Sequence, residues 1–174
     1  DAIIEHPDVR RMLLTQRVIA EGGRAMITHA SQYADLYRNG KSTEDRESAE
    51  QKLGFCTPIL KGFITELGVE AANLGIQVYG GHGYIKEWGM EQIFRDSKIA
   101  TLYEGTTGIQ ALDLIGRKVL LDKFMQLKIF SKEITKFSRQ TLLAAIRKGN
   151  KELFYNSLNV LRLAMKWRYL AYKV

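Results

Sequence analysis

Glu104-Gly105-Thr106-Thr107-Gly108 sets one carboxylate against a glycine and a threonine pair, where an amphipathic helix is about to begin. A helix start leaves backbone N–H groups without intrahelical acceptors. A carboxylate beside such donors can take a proton from carbon while the donors hold the negative charge that develops. A positioned base of this kind is worth about 10²–10⁴-fold in rate. Leu102 and Tyr103 come just before it. An apolar surround there would raise the carboxyl pKa and improve the base near neutral pH. Neither base nor donors can accept a hydride, so an oxidation at this place needs a cofactor as electron sink. The residues alone leave a second reading open: a surface acid favoured by the helix dipole.

Two further clusters lie upstream. Gly80-Gly81-His82-Gly83 is either a helix C-terminal turn or a cradle whose exposed N–H groups hold a phosphate-bearing ligand. No strand precedes it, so it is not a dinucleotide fingerprint. Arg95, Asp96 and Lys98 read as an ion-paired cluster that orders the turn before Glu104. His6, His29 and His82 are scattered without metal-ligand spacing, and no metal site is assigned. Cys56 falls on an apolar stripe and reads as a small buried hydrophobe.

These residues must be carried by helices. Val9, Met12, Leu13, Ile19, Met26, Ala30 and Ala34 recur at steps of three and four, from Pro7 to a stop at Asn39-Gly40. A second stripe runs from Leu53 to Val78. Pro58 interrupts it, and we read it as a kink in one long helix rather than a new start capped by Thr57. A short helix over Met90 to Lys98 follows. Another starts near Thr106 and carries Ile109, Leu112, Ile115 and Val119. Two more flank a break at Gly149-Asn150, one with the inward stripe Phe124, Leu127, Phe130, Ile134, Phe137, Leu142 and Ala145, the other with Phe154, Leu158, Leu161, Met165 and Tyr169. No segment alternates with period two. The fold class is therefore all-α: an up-and-down, four-helix-bundle-like domain over residues 1–121, with extra C-terminal helices over 122–174.

Composition bounds the rest. One cysteine among 174 residues excludes an internal disulfide and fits a reducing compartment. No apolar run is long enough to span a bilayer. The first residue is Asp, which suggests a processed product or an excised piece. Residues 1–116 carry 12 Lys and Arg against 16 Asp and Glu, net −4. Residues 117–174 carry 14 against 3, net +11, so the basicity belongs to the last third. That excess reads as a solvated helical face or as a surface for acidic partners, subunits or phosphates. Nucleic acid is disfavoured, because the aromatic residues there recur at core spacing.

In combination, Gln77-Val78-Tyr79-Gly80-Gly81-His82-Gly83-Tyr84, Phe94-Arg95-Asp96-Ser97-Lys98-Ile99, Tyr103-Glu104-Gly105-Thr106 and Ile109-Gln110 resemble the C-terminal helical domain of the acyl-CoA dehydrogenase family. The resemblance covers residues 5–120. Gly105 to Lys118 and the tail after it are similar to a bacterial-type subgroup with a C-terminal extension, which includes straight-chain acyl-CoA and 3-methylmercaptopropionyl-CoA dehydrogenases. The resemblance implies that Glu104 is the base that removes the α-proton of an acyl-CoA thioester. FAD then takes the β-hydride, leaving a trans-2-enoyl-CoA. It further implies that the Glu104 N–H helps hold the thioester oxygen and that Gly105 allows close approach of substrate. Thr106, Thr107 and Gly108 match the helix start that contacts FAD. Gln77, Gly80 and Gly81 match a loop touching the FAD of a neighbouring subunit, hence a homodimer or homotetramer. Arg95 and Asp96 match a motif read as structural.

Many members have a polar side chain where this chain has Gly108, which removes a side-chain contact to FAD there. Some members place the base on another helix and lack Glu at this site; Glu104 argues against that variant. The family's N-terminal helical and middle β-domains are absent from the sequence, so this chain alone is expected to be inactive and to retain little FAD. Further expectations are an electron-transfer flavoprotein as acceptor and a bacterial cytoplasmic location. The rivals are an acyl-CoA oxidase, and a non-catalytic helical interaction module working through the basic tail.

Overall fold

Proline loses nothing at a first helical position, where its missing N–H would have no intrahelical acceptor. In the computed structural model, which describes residues 2–173, Pro7 opens helix α1 (Pro7–Asn39). Ser42 caps α2 (Thr43–Tyr79), its Oγ accepting from the Asp45 N–H at 3.0 Å. Arg46 donates back to Gly40 O at 2.9 Å and fastens the short connection. Helices joined so tightly run antiparallel. Lys52 Nζ accordingly lies 5.5 Å from the centroid of the Tyr33 ring. A Cβ on Gly23 would stand 3.8 Å from Ile64 Cγ2. Met12, Ala30 and Tyr33 of α1 and Ala49, Phe55, Cys56 and Ala72 of α2 are buried.

Pro58 does not end α2, which continues through it. Thr57 is no cap; its Oγ1 donates to Leu53 O at 2.8 Å, one turn back. The loop expected at Gly80-Gly81-His82-Gly83 is instead a 3₁₀ turn over Gly80–Tyr84, followed by another over Lys86–Trp88. Such short turns carry the chain where an α-helix will not propagate. Positive φ at Gly80 (60°) and Gly89 (70°) brackets the pair. Helix α3 (Met90–Ile99) returns along α2. Gly75 is buried there, and a Cβ on it would stand only 2.8 Å from Met90 Sδ.

Helix α4 (Thr107–Leu112) packs on α2 and passes into a π-helical stretch, Asp113–Leu121. The periodicity of Ile109, Leu112, Ile115 and Val119 predicts one regular α-helix. The widened turns break that register after Leu112, with Gly116 inside them. By its internal contacts the chain divides in this stretch, one unit ending at Ile115 and the next starting at Gly116.

The second unit centres on an α-helical hairpin, α5 (Met125–Arg147) and α6 (Lys151–Ala171). Asn150 caps α6, its Oδ1 accepting from the Leu153 N–H at 2.9 Å. Phe130 meets Trp167 edge to face at 5.7 Å, and Phe124 stacks on Tyr172 at 4.8 Å. Small residues form the seam of this hairpin. Ser131, Ser138 and Ala145 on α5, and Ser157, Ala164 and Ala171 on α6, each recur every seven residues, and all six are buried. A seven-residue repeat keeps one stripe facing a partner helix. The large side chains sit beside the seam, so Phe137 and Met165, expected inside, are 67% and 55% exposed. Every helix and strand assignment among the described residues is helical, and the fold is all-α.

Candidate active site

The turn that carries Glu104 has an uncommon backbone. Glu104 has φ 55° and Gly105 φ 93°, two left-handed residues in succession. Glutamate enters that region at a cost of about 1–2 kcal/mol, so other contacts must hold it there. Gln110, from the first turns of α4, provides them. Its Nε2 donates to Glu104 O at 3.2 Å and reaches Gly105 O at 3.5 Å. Gly105 cannot be larger without disturbing this: a Cβ on it would meet Gln110 Nε2 at 2.9 Å and Ile109 Cγ2 at 3.3 Å.

Residues 61–66 of α2 form the platform beneath the turn. Lys61 Nζ donates to Ala100 O and lies 5.0 Å from the centroid of the Tyr103 ring. Glu66 Oε1 accepts from Thr107 Oγ1 at 2.6 Å. Between them, α4 lies close over Gly62: a Cβ there would make ordinary contact at 3.6 Å with Gln110 Cβ and 3.8 Å with Thr107 Cγ2. Thr106 precedes α4 in an extended conformation and makes no side-chain cap bond. The helix's first backbone bond runs from the Gln110 N–H to Thr106 O at 3.0 Å. The amides of Thr107, Gly108 and Ile109 come before it, without intrahelical acceptors.

The glycine loop lies elsewhere on α2. Gly80 donates its N–H to Gln77 O, closing the helix. A Cβ on Gly80 or Gly81 would meet nothing within 4 Å, so backbone is bare there. Gly83 is the opposite: buried, with a Cβ that would fall 2.5 Å from Ile76 O. Glu66 and Tyr79 are thirteen residues apart on α2, about 20 Å at 1.5 Å per residue. Within one chain, the Gly80-Gly81 loop and the Glu104 turn are therefore anchored to different parts of the same helix.

Residues 1–120 match the family model for the acyl-CoA dehydrogenase C-terminal domain. The chain belongs to this family. It is 52% identical over 120 residues to 3-methylmercaptopropionyl-CoA dehydrogenase of Ruegeria pomeroyi, covering 69% of this chain and 20% of that one. It is 38% identical over 135 residues to a butyryl-CoA dehydrogenase of Syntrophomonas wolfei, covering 78% of this chain and 22% of that protein. It is 37% identical over 136 residues to the broad-specificity linear acyl-CoA dehydrogenase FadE5 of Mycobacterium tuberculosis, with the same two coverages. The chain thus spans about a fifth of the length of these curated relatives.

In this acyl-CoA dehydrogenase domain the Glu104 side chain is exposed, and Leu102 and Tyr103 are 53% and 50% exposed. The apolar surround anticipated for the carboxylate is thus one open wall and not a closed pocket. The turn follows the end of α3, and the apolar residues around it, Ile99 and Ile109 among them, are exposed as well. The Arg95–Asp96–Lys98 cluster is not ion-paired; Asp96 accepts from the Gln92 amide at 2.8 Å instead. A groove of about 300 Å³ between α1 and α2, lined by Val18, Ile19, Gly23, Met26, Phe63 and Ile64 among others, holds none of the anticipated site residues. Among the described residues no group of three or more His, Cys, Asp and Glu is placed to hold a metal ion. None of their helices is long and apolar enough to cross a membrane.

Lys61, Gly62 and Glu66 were not singled out from the sequence as supports of the site. Their partners lie 39 to 48 residues downstream, beyond the reach of any local pattern. Glu66 and Lys61 look like ordinary exposed helix charges. Gly62, a glycine inside an apolar helical stripe, was the one available hint of a close approach.

Proposed function

We propose that this chain is the helical C-terminal part of a FAD-dependent acyl-CoA dehydrogenase, in which Glu104 is the base. The observation that carries the reading is the left-handed Glu104-Gly105 turn, which α4 holds at the surface with its carboxylate unburied. A rigid turn of this kind offers a carboxylate, a glycine that admits a ligand close to the backbone, and an adjacent run of amides. Family membership supports the assignment of roles.

The residues present fit one wall of a flavin site. Gly80 and Gly81 present uncovered backbone, and the amides of Thr107 and Gly108 begin a helix. Bound FAD would supply the electron sink, accepting hydride from the β-carbon of the acyl group. Glu104 would take the α-proton, and the two losses together leave the trans-2-enoyl thioester. The Glu104 N–H would hold the thioester oxygen as negative charge gathers on it, a contribution of about 3 kcal/mol for such a donor. Thr107 would contribute its amide, since its hydroxyl hydrogen is already given to Glu66.

The distance of about 20 Å along α2 between the turn's anchor and the glycine loop supports a division of labour. Gln77, Gly80 and Gly81 would touch the FAD of a neighbouring subunit, which requires a homodimer or homotetramer. The substrate class is an acyl-CoA, the acceptor an electron-transfer flavoprotein and the location the bacterial cytoplasm. The test is Glu104→Gln in the full-length enzyme. Turnover should fall by about 10²–10⁴-fold or more with FAD still bound, and near-normal turnover would refute the assignment. This chain alone should be colourless and inactive; a yellow preparation with flavin absorbance contradicts that. Peroxide release by the full-length enzyme would mark an oxidase.

A further inference from the structure

Two consecutive left-handed residues, one of them a glutamate, are unstable without outside support. The Gln110 side chain is the hydrogen-bond donor to the carbonyls of both residues. Gln110 is itself fixed from behind. A Cβ on Gly62 would stand in ordinary contact with its Cβ at 3.6 Å, and Thr107, three residues before it, is tied to Glu66 by a 2.6 Å hydrogen bond. Lys61 holds the other side of the turn through Ala100 O and the Tyr103 ring. The chain of contacts runs from α2 through Gln110 to the backbone of Glu104, and the amide reaches no other acceptor.

We infer that Gln110 is a positioning residue: its carboxamide sets the direction of the Glu104 carboxylate by locking the backbone beneath it. This rests on the reading of Glu104 as the base. Gln110 touches neither substrate nor cofactor in this role. It acts on the rate through the angle at which Glu104 meets the α-carbon, where displacements of about 1 Å cost on the order of 10²-fold.

The experiment uses the full-length flavoenzyme with a saturable acyl-CoA substrate, all rates normalised to bound flavin. Gln110→Met keeps the length and removes the donor. It should lower kcat about 10²-fold, with KM and flavin occupancy near wild type. Gln110→Glu is the second variant. Its ionised carboxylate cannot donate to Glu104 O, whereas the protonated acid can. The ratio of its kcat to that of the wild type should therefore rise as pH falls. Should Gln110→Met lose flavin or thermal stability while kcat per bound flavin stays at the wild-type value, Gln110 is a structural residue and the inference is wrong. A pH-independent ratio for Gln110→Glu overturns it as well. Glu104→Gln is run alongside. If that variant is dead and Gln110→Met is normal, only the Gln110 inference fails; if Glu104→Gln turns over, the base assignment fails with it.

Discussion

Replacing Gly83 by alanine should loosen the glycine loop from α2, whereas the same change at Gly81 should not. A Cβ on Gly83 would lie 2.5 Å from Ile76 O, 2.9 Å from Ile76 Cα and 2.9 Å from Tyr79 Cβ. Carbon–oxygen contacts relax only near 3.5 Å, so the overlap is about 1 Å. Two of the three atoms are backbone in the last turns of α2, where a shift would break helical hydrogen bonds. The loop must therefore retreat, at about 1–3 kcal/mol for forced overpacking. At Gly81 a Cβ meets nothing within 4 Å, and the change should stay within about 0.5 kcal/mol. Gly75→Ala is an informative contrast. Its Cβ would meet the Met90 side-chain end at 2.7–2.8 Å, a flexible thioether that can swing aside. Because the loop can open without global unfolding, native-state hydrogen exchange is the right assay. The amides of residue 83 and Tyr84 should exchange roughly 5- to 150-fold faster in Gly83→Ala, the equivalent of that energy range. Equal protection in the Gly81 and Gly83 variants would show that the loop is not seated on α2 as described.

Gly105→Ala should reduce kcat of the full-length enzyme more than it changes KM, because φ 93° and the 2.9 Å approach to Gln110 Nε2 leave no room for a Cβ; steady-state kinetics with flavin quantitation checks it. Ser138→Ala should stabilise the α5–α6 unit by about 1 kcal/mol, since Ser138 Oγ is buried without a hydrogen-bond partner; an unfolding curve that shifts the other way reveals a partner. The Glu21 carboxyl should titrate below its ordinary value, owing to the 2.7 Å hydrogen bond from Arg17 Nε and the charge of Arg17. With the folded pKa lowered, the pair's contribution is present above the unfolded carboxylate pKa and is lost as pH falls through the folded value. Both groups are exposed at the surface, so carboxyl ¹³C titration, with Arg17→Ala restoring the ordinary value, is the measurement to use.

Helices were legible because one face of each repeats at 3.6 residues, and because Pro7, Asn39-Gly40 and Gly149-Asn150 act locally. The α5–α6 seam escapes the sequence pattern for a physical reason. A search for large apolar residues selects Phe137 and Met165, whereas close helix contact selects small ones such as Ser138 and Ala164. The π stretch Asp113–Leu121 was unreadable because apolar spacing there fits an ordinary helix equally well. At the site, Glu104 and Gly105 stood out by residue type. That both are left-handed did not, since only Gly105 advertises it.

The supports of the turn reveal why a lone motif is weak and the combination is specific. Lys61, Gly62 and Glu66 occupy little more than one turn of α2, yet they meet Ala100, Tyr103, Thr107 and Gln110. Any one of these pairs could be lost with little effect on helix formation. Together they determine where α3 stops, where α4 starts and how the backbone between them must turn. An alanine at 62 would stand in ordinary contact, 3.6 Å from Gln110 Cβ and 3.8 Å from Thr107 Cγ2, whereas a side chain longer than a methyl would push α4 outward and move Gln110 from the Glu104 carbonyl. The placement of the Glu104 turn thus depends on the room at 62 being no more than a methyl's. That dependence explains how the backbone under an exposed carboxylate on a connecting turn is held in place from a neighbouring helix.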